Sequence, residues 1–259
     1  MVKKIFAKCY IYFILFLMYL PILILVAYSF TTSDQVGVWT GFSFKLYSDL
    51  FKNKDLMEAV GNTLLIAFCS AIVSTILGTL GAIGSHYSKK KSRKLIETMT
   101  QLPVVNAEIV MALSLAVLVV ALSWSFSFLT LLIGHVVLTV PFVVLNVIPK
   151  LKQMDVNTYE AALDLGLTDT QKFFKVILPM SSKGIVTGSI MVFLPCLSGF
   201  AIPQILGDGN IVLIGNIIED AFKNMSYTIG SLLAVVILIV ILLGIFIVSK
   251  IDKEGETLL

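Results

Sequence analysis

The sequence predicts an all-α integral membrane protein with six transmembrane helices and both termini in the cytoplasm. Three observations carry that expectation. Of 259 residues, 58% are hydrophobic and 14% charged, whereas soluble domains hold about 45–50% apolar and about 25% charged residues. Hydrocarbon is therefore the expected solvent for most of the chain. Six apolar windows approach the roughly 20 residues a helix needs to cross a bilayer core. With the N-terminus inside, 15 of the 19 lysines and arginines fall in cytoplasmic loops, the asymmetry that orients membrane helices.

The first window, 5–30, follows the basic start Lys3, Lys4 and Lys8. Its apolar run is longer than a signal-peptide core of about 7–15 residues, so it reads as a retained anchor. The second, 61–84, ends at the inside run Lys89, Lys90, Lys91, Arg93 and Lys94, an orientation signal beside anionic lipids. Within it Gly78, Gly81, Ala82 and Gly84 permit close helix packing, inside the chain or against another subunit. The third, 104–122, and the fourth, 126–148, form a hairpin through the uncharged turn "SWSFSF" (123–128), whose Trp124 and Phe126 suit a membrane–water boundary. The next inside loop holds Lys150, Lys152, Lys172, Lys175 and Lys183. The fifth, 184–205, is interrupted by Pro195, Gly199 and Pro203. The sixth, 229–248, precedes Lys250 and Lys253. Outside loops keep only Lys45, Lys52, Lys54 and Lys223, the last among Asp208, Glu219 and Asp220.

The rest of the composition excludes several chemistries. Cys9, Cys69 and Cys196 are far apart and form no CxxC pair, so neither a disulfide framework nor a zinc site is indicated. His86 and His135 are too few for most metal sites, and none is expected; a helix-to-helix hydrogen bond is expected of His135. A net charge of +3 does not suggest nucleic-acid binding. There is no GxxxxGK[ST] phosphate loop, no HExxH and no G-x-S-x-G.

One polar stretch stands out, "YEAALDLGLTDTQKFFKVILPM" (159–180). Asn157 can cap a helix over 158–165, with Glu160 reaching back to it. Gly166 supplies the left-handed residue that ends the helix. Thr168 and Gln171 form a second capping box, and that helix is expected to run to Ile177 or Leu178 and stop at Pro179. Such short helices are marginal alone. On the first, Tyr159, Ala162, Leu163 and Gly166 share a small, apolar face. Two readings stay open: a helix docked in a partner's groove, or an amphipathic helix resting on its own spans or on lipid headgroups.

Glu160-Ala161-Ala162, then Gly166, then Val176, Leu178 and Pro179 resembles the EAA loop of ABC importer permeases. Lys183 departs from the proline many members carry there. The resemblance covers roughly residues 60–249 and implies a MetI-like, type-1 permease fold: a first helix and extracellular loop (1–59), a permease core (60–249) with the coupling loop at 155–180, and a cytoplasmic tail (250–259). It implies that Glu160, Ala161, Ala162, Gly166, Val176, Leu178 and Pro179 dock on a cytoplasmic ATPase. Such a chain is a non-catalytic subunit of the bacterial cytoplasmic membrane. It holds no cofactor, because ATP and magnesium sit on the ATPase. Its implied partners are a second permease subunit, two ATPase subunits, an extracellular or periplasmic substrate-binding protein and membrane lipid, with no nucleic acid.

The stretches "GFSFKLYSDLF" (41–51), "LPVVNAEIVMALSL" (102–115) and "LSGFAIPQILGDGNIVLIGNIIEDAF" (197–222) are similar to the spermidine/putrescine permeases, the shorter, second subunit above all. Permeases for iron, sulfate, thiamine or phosphonate share much of this grammar, and an ion-driven secondary transporter is a further alternative. Polyamines are extended cations, so acidic residues on their path make chemical sense. Glu108 is the acid well inside an apolar span; the alternative for it is a carboxylate favoured by the helix N-terminus after Pro103. Glu108, Pro195, Gly199 and Pro203 are the candidates for pathway and outer gate, a simple kink being the alternative for the last three. Asp208, Glu219 and Asp220 either receive cargo or the binding protein, or form a solvated loop.

Overall fold

Long apolar runs without internal breakers become long helices, and the computed structural model is built of them. It describes the backbone of residues 2–33, 39–154, 164, 166–207, 209 and 211–251, and the side chains within those ranges from residue 8 to residue 246. Among the described residues, four uninterrupted helices are long and apolar enough to cross a membrane: α1 (Val2–Tyr28), α3 (Lys54–Tyr87), α6 (Phe128–Lys152) and α11 (Tyr227–Ile251). Two bent pairs bring the number of spans to six if each pair is one crossing. The first pair is α4 (Lys90–Val105) and α5 (Glu108–Ala121), bent by 107°. The second is α7 (Asp169–Met180) and α8 (Ser182–Ser198), bent by 67°. Shorter elements are α2 (Lys45–Lys52), α9 (Ala201–Leu206) and α10 (Ile214–Lys223).

The chain divides into two compact units, residues 1–58 with 217–240, and residues 59–216 with 241–259. In the first, the Ser29 hydroxyl donates to the Val26 carbonyl (2.7 Å) and meets the Tyr47 hydroxyl on α2 (2.9 Å). Phe30 stacks on Phe42 with ring centres 4.5 Å apart. The Thr228 hydroxyl donates to the Ser33 carbonyl at 2.6 Å. On α10, Glu219 pairs with Lys223 at 2.7 Å, as i, i+4 spacing allows. Asp208 lies outside the described residues.

In the second unit α6 is the hub. Small residues set how near its neighbours come, since helices in hydrocarbon associate by close packing rather than by expelling water. A Cβ on Gly184 of α8 would lie 2.6 Å from the Asn146 carbonyl oxygen, and one on Gly188 2.9 Å from the Val143 Cα. On α3, a Cβ at Gly78 would lie 2.6 Å from the Val143 Cβ. Gly81 and Gly84, expected to act likewise, have nothing within 4 Å. Ser74 on α3 and Thr139 on α6 join their hydroxyls at 2.7 Å, the cross-helix bond of this region. His135 was expected to make such a bond. Its Nδ1 instead meets the Leu131 carbonyl at 2.9 Å, an acceptor one turn back on its own helix.

The third window also differs from expectation. The crossing helix begins at Glu108, and residues 104 and 105 belong to the end of α4. Asn106 and Ala107 are extended, with ψ of 147° and 139°, so the chain turns between them. α4 buries none of its residues. It is tied to the end of α6 by Glu97 and Lys152 at 3.4 Å.

Packing at Gly184 makes a measurable prediction. Gly184→Ala pushes a methyl onto backbone that cannot swing away and should destabilise the isolated chain by about 1–3 kcal/mol. Gly81→Ala enters open space in a helix interior and should stabilise it by about 0.5–1 kcal/mol. Thermal unfolding in detergent reads both, as opposite shifts of the midpoint.

Candidate functional site

Two places carry the residues singled out in the sequence. The first is the polar loop before α8. Glu160, Ala161 and Ala162, with the helix expected over 158–165, lie outside the described residues. Gly166 is described, and its φ of +68° is the left-handed conformation expected of it. The Thr168 hydroxyl accepts from the Gln171 N–H (3.4 Å), and the Gln171 side-chain oxygen accepts from the Thr168 N–H (3.1 Å). This is the capping box read from the sequence, and it starts α7. Lys172, itself 7% exposed, reaches Asp169 at 2.6 Å. That hydrogen bond, followed by the lysine's charge, holds the Asp169 carboxyl below the usual carboxylate range.

Pro179 does not stop α7. Residues Phe173–Ile177 form a π-helical turn, in which Leu178 N–H bonds to the Phe173 carbonyl five residues back. The wide turn restarts the ladder, so Pro179 falls in the first turn of the following α segment, Leu178–Met180, where no N–H is needed. The chain bends after Met180. Val176, Leu178 and Pro179 all lie on this continuous piece, where Ile177 is buried as Lys172 is.

The second place is the interruption of the fifth span. α8 ends at Ser198, Gly199 is extended (φ −67°, ψ 141°), Phe200 follows at φ −124° and ψ −26°, and α9 begins at Ala201. This is a break with two non-helical residues rather than a kink. Backbone groups at a break in a membrane span need partners, and two come from elsewhere in the chain. A Glu108 carboxylate oxygen, Oε1, accepts from the Ile202 N–H at 3.3 Å. The Asn216 amide donates to the Phe200 carbonyl at 3.1 Å. Gly215 lets its backbone press on the Gly199 carbonyl, where a Cβ would come within 2.4 Å.

Gly199 is buried, and a Cβ there would stand 2.7 Å from the Pro195 carbonyl oxygen and 2.8 Å from Glu108 Oε1. Glu108, Gly199 and the Pro195 carbonyl therefore meet at one point, and only glycine fits between the other two. Pro203 sits one turn further on, buried in α9. α9 packs in a cluster with Ile66, Ala112, Leu131 and Leu213. Gly134 of α6 admits it, because a Cβ there would be 2.7 Å from Leu206 and 2.9 Å from Ile202. At 14 residues, α5 is about 21 Å long, so Glu108, at its start, lies about that far from the α5–α6 turn. Asn216 and Gly215 were missed in the sequence. Their signal is a Gly-Asn pair inside the apolar run "IVLIGNII" (211–218). No group of three metal-ligating side chains occurs among the described residues.

Comparison with known proteins fits this architecture. The family described as "Binding-protein-dependent transport system inner membrane component" matches residues 74–253. The spermidine/putrescine transport system permease protein PotC of Escherichia coli (strain K12) is 35% identical over 176 residues, 68% of this chain and 67% of its own length. The putrescine transport system permease protein PotI of the same strain is 34% identical over 183 residues, covering 68% and 65%. PotB of Haemophilus influenzae is 26% identical over 259 residues, covering 93% and 90%. Among solved structures, a bacterial ABC transporter that imports alginate superposes with a TM-score of 0.78 at 17% identity, covering 98% of this chain and 96% of that one. The MetNI methionine ABC transporter gives 0.61 at 17% identity, covering 82% and 98%. With a matching family profile over most of its length and a permease relative at 35% identity, the chain belongs to the binding-protein-dependent transport system inner membrane components, the permease subunits of ABC importers.

Proposed function

We propose that this chain is one of two transmembrane subunits of an ATP-driven importer of linear polyamines in the bacterial cytoplasmic membrane. The observation that carries the cargo is the 34–35% identity to permeases named for spermidine and putrescine. A carboxylate at the start of an apolar crossing helix, Glu108, suits a cationic cargo. The lysine and arginine distribution supports cytoplasmic termini, and hence a cytoplasmic 155–180 loop.

In this reading Glu160, Ala161, Ala162, Gly166, Val176, Leu178 and Pro179 form the joint to a separate ATPase pair, which binds ATP and magnesium. A second permease subunit and an extracellular or periplasmic binding protein complete the assembly. ATP closes the ATPase pair and the joint moves. The bend between α7 and α8 carries that movement into the fifth span, and the spans open outward to take cargo from the binding protein. Glu108, Pro195, Gly199 and Pro203 line the path or its gate. The left-handed Gly166 supports the joint, since it sets a fixed corner just before α7.

Vesicles holding the chain with its partner subunits should take up labelled putrescine or spermidine only with ATP on the cytoplasmic side. Uptake that follows an ion gradient without ATP overturns the reading, and competition by iron, sulfate, thiamine or phosphonate in place of polyamines reassigns the cargo.

The joint has its own test. Proline requires φ near −65°, so Gly166→Pro cannot keep the corner at +68°. Glu160→Lys reverses the charge within the Glu160-Ala161-Ala162 segment. Coupling energies of about 1–3 kcal/mol correspond to about 5–150-fold. Both variants should lose uptake within that range while the complex still hydrolyses ATP. Near-normal uptake in both removes the joint.

A further inference from the structure

We propose that Glu108 is a positioning residue that latches the break in the fifth span, and that an ammonium group of the cargo releases it. The inference rests on the polyamine reading for its second half alone. Glu108 stands about 21 Å from the α5–α6 turn, half-buried, and its one hydrogen bond among the described residues is to the Ile202 N–H at 3.3 Å. No lysine, arginine or histidine pairs with it among the described residues. Carboxylates in an apolar layer are almost always paired with a cation or a full set of donors, and one backbone N–H leaves this one under-satisfied.

The site is also made for the carboxylate to approach. Gly199 is the residue that leaves room, since a Cβ there would stand 2.8 Å from Oε1. The same oxygen bridges from α5 to α9, two helices joined by that bond across 94 positions of sequence. A mobile ammonium that takes this oxygen adds an ion pair to its hydrogen bond, whereas the Ile202 N–H bond it replaces carries a charge on the acceptor side alone. Ile202 N–H then loses its acceptor, and α9 keeps only apolar contacts with α5, such as those of the cluster around Ala112. The Asn216 bond to the Phe200 carbonyl stays in place as the pivot. Cargo charge and opening of the break are in this way one event, and a neutral molecule of the same length does not trigger it.

Cys196 reports the event from inside. It lies three residues before Gly199, is 1% exposed, and is within electrostatic reach of Glu108. In the complex with its partner subunits, with Cys9 and Cys69 changed to serine, maleimide should label Cys196 slowly at rest. Putrescine or spermidine, delivered with ATP, should accelerate labelling about tenfold, and 1,4-butanediol should not. Glu108→Gln keeps an oxygen for Ile202 N–H and loses the charge: labelling at rest stays slow, the polyamine response disappears, and KM for polyamine rises about tenfold. Glu108→Ala loses both functions and labels fast at rest. Gly199→Ala keeps the charge but displaces the carboxylate, so it also labels fast at rest, which covers the case in which Glu108→Ala fails to assemble.

Slow labelling at rest in both alanine variants overturns the latch. A wild-type polyamine response and KM in Glu108→Gln overturn release by charge. The resting measurements need no cargo, so they judge the latch even in a complex that imports no polyamine, a result that counts against the proposed cargo alone.

Discussion

Every backbone N–H and C=O that leaves a helix inside hydrocarbon must find another partner, and the break in the fifth span meets this rule. Gly199 and Phe200 step out of the helix, with the Gly199 N–H bonded back to the Pro195 carbonyl and the Phe200 carbonyl accepting from the Gln204 N–H. The fold answers with groups brought from two other places, the Glu108 carboxylate at the start of α5 and the Asn216 amide at the start of α10. The position of α5, the turn before it and the return of the chain after α9 all serve that one need.

Around this point the molecule is held by closeness rather than by apolar burial. Gly78, Gly184 and Gly188 surround Val143 and Asn146, and each admits a neighbour that a methyl group would displace. The exposed side chains of α1 and the outer faces of α3 and α5 include many large apolar groups, such as Phe13, Phe68 and Val117. Exposure of this kind is ordinary for surfaces that meet lipid or another transmembrane subunit.

What the sequence disclosed was local. Apolar run length gave the spans, and fixed three-residue spacing gave the Thr168–Gln171 capping box. Gly166 was legible because few other residues tolerate a left-handed corner. Three features escaped because their causes are not local. Glu108 and Ile202 are 94 positions apart, so nothing in either neighbourhood announces their bond. The turn at Asn106 and Ala107 sits in a run apolar enough to pass for continuous helix. Pro179 was read as a stop on the assumption of an unchanged four-residue ladder, and the π turn before it removes that assumption. The Glu160-Ala161-Ala162 segment was the most specific signal in the chain, yet it falls outside the described residues.

The π turn at Phe173–Ile177 has a rotational consequence. It winds one more residue into a turn than an α-helix does, so side chains beyond it are offset by about 100° from where an unbroken α-helix would aim them. The two ends of α7 are thus phased like two gears on one shaft, with a single residue setting the angle. Loss or gain of one residue anywhere between Gly166 and Ser181 would turn one face away from its counterpart without touching a single contact directly, which makes chain length here as constrained as chemistry.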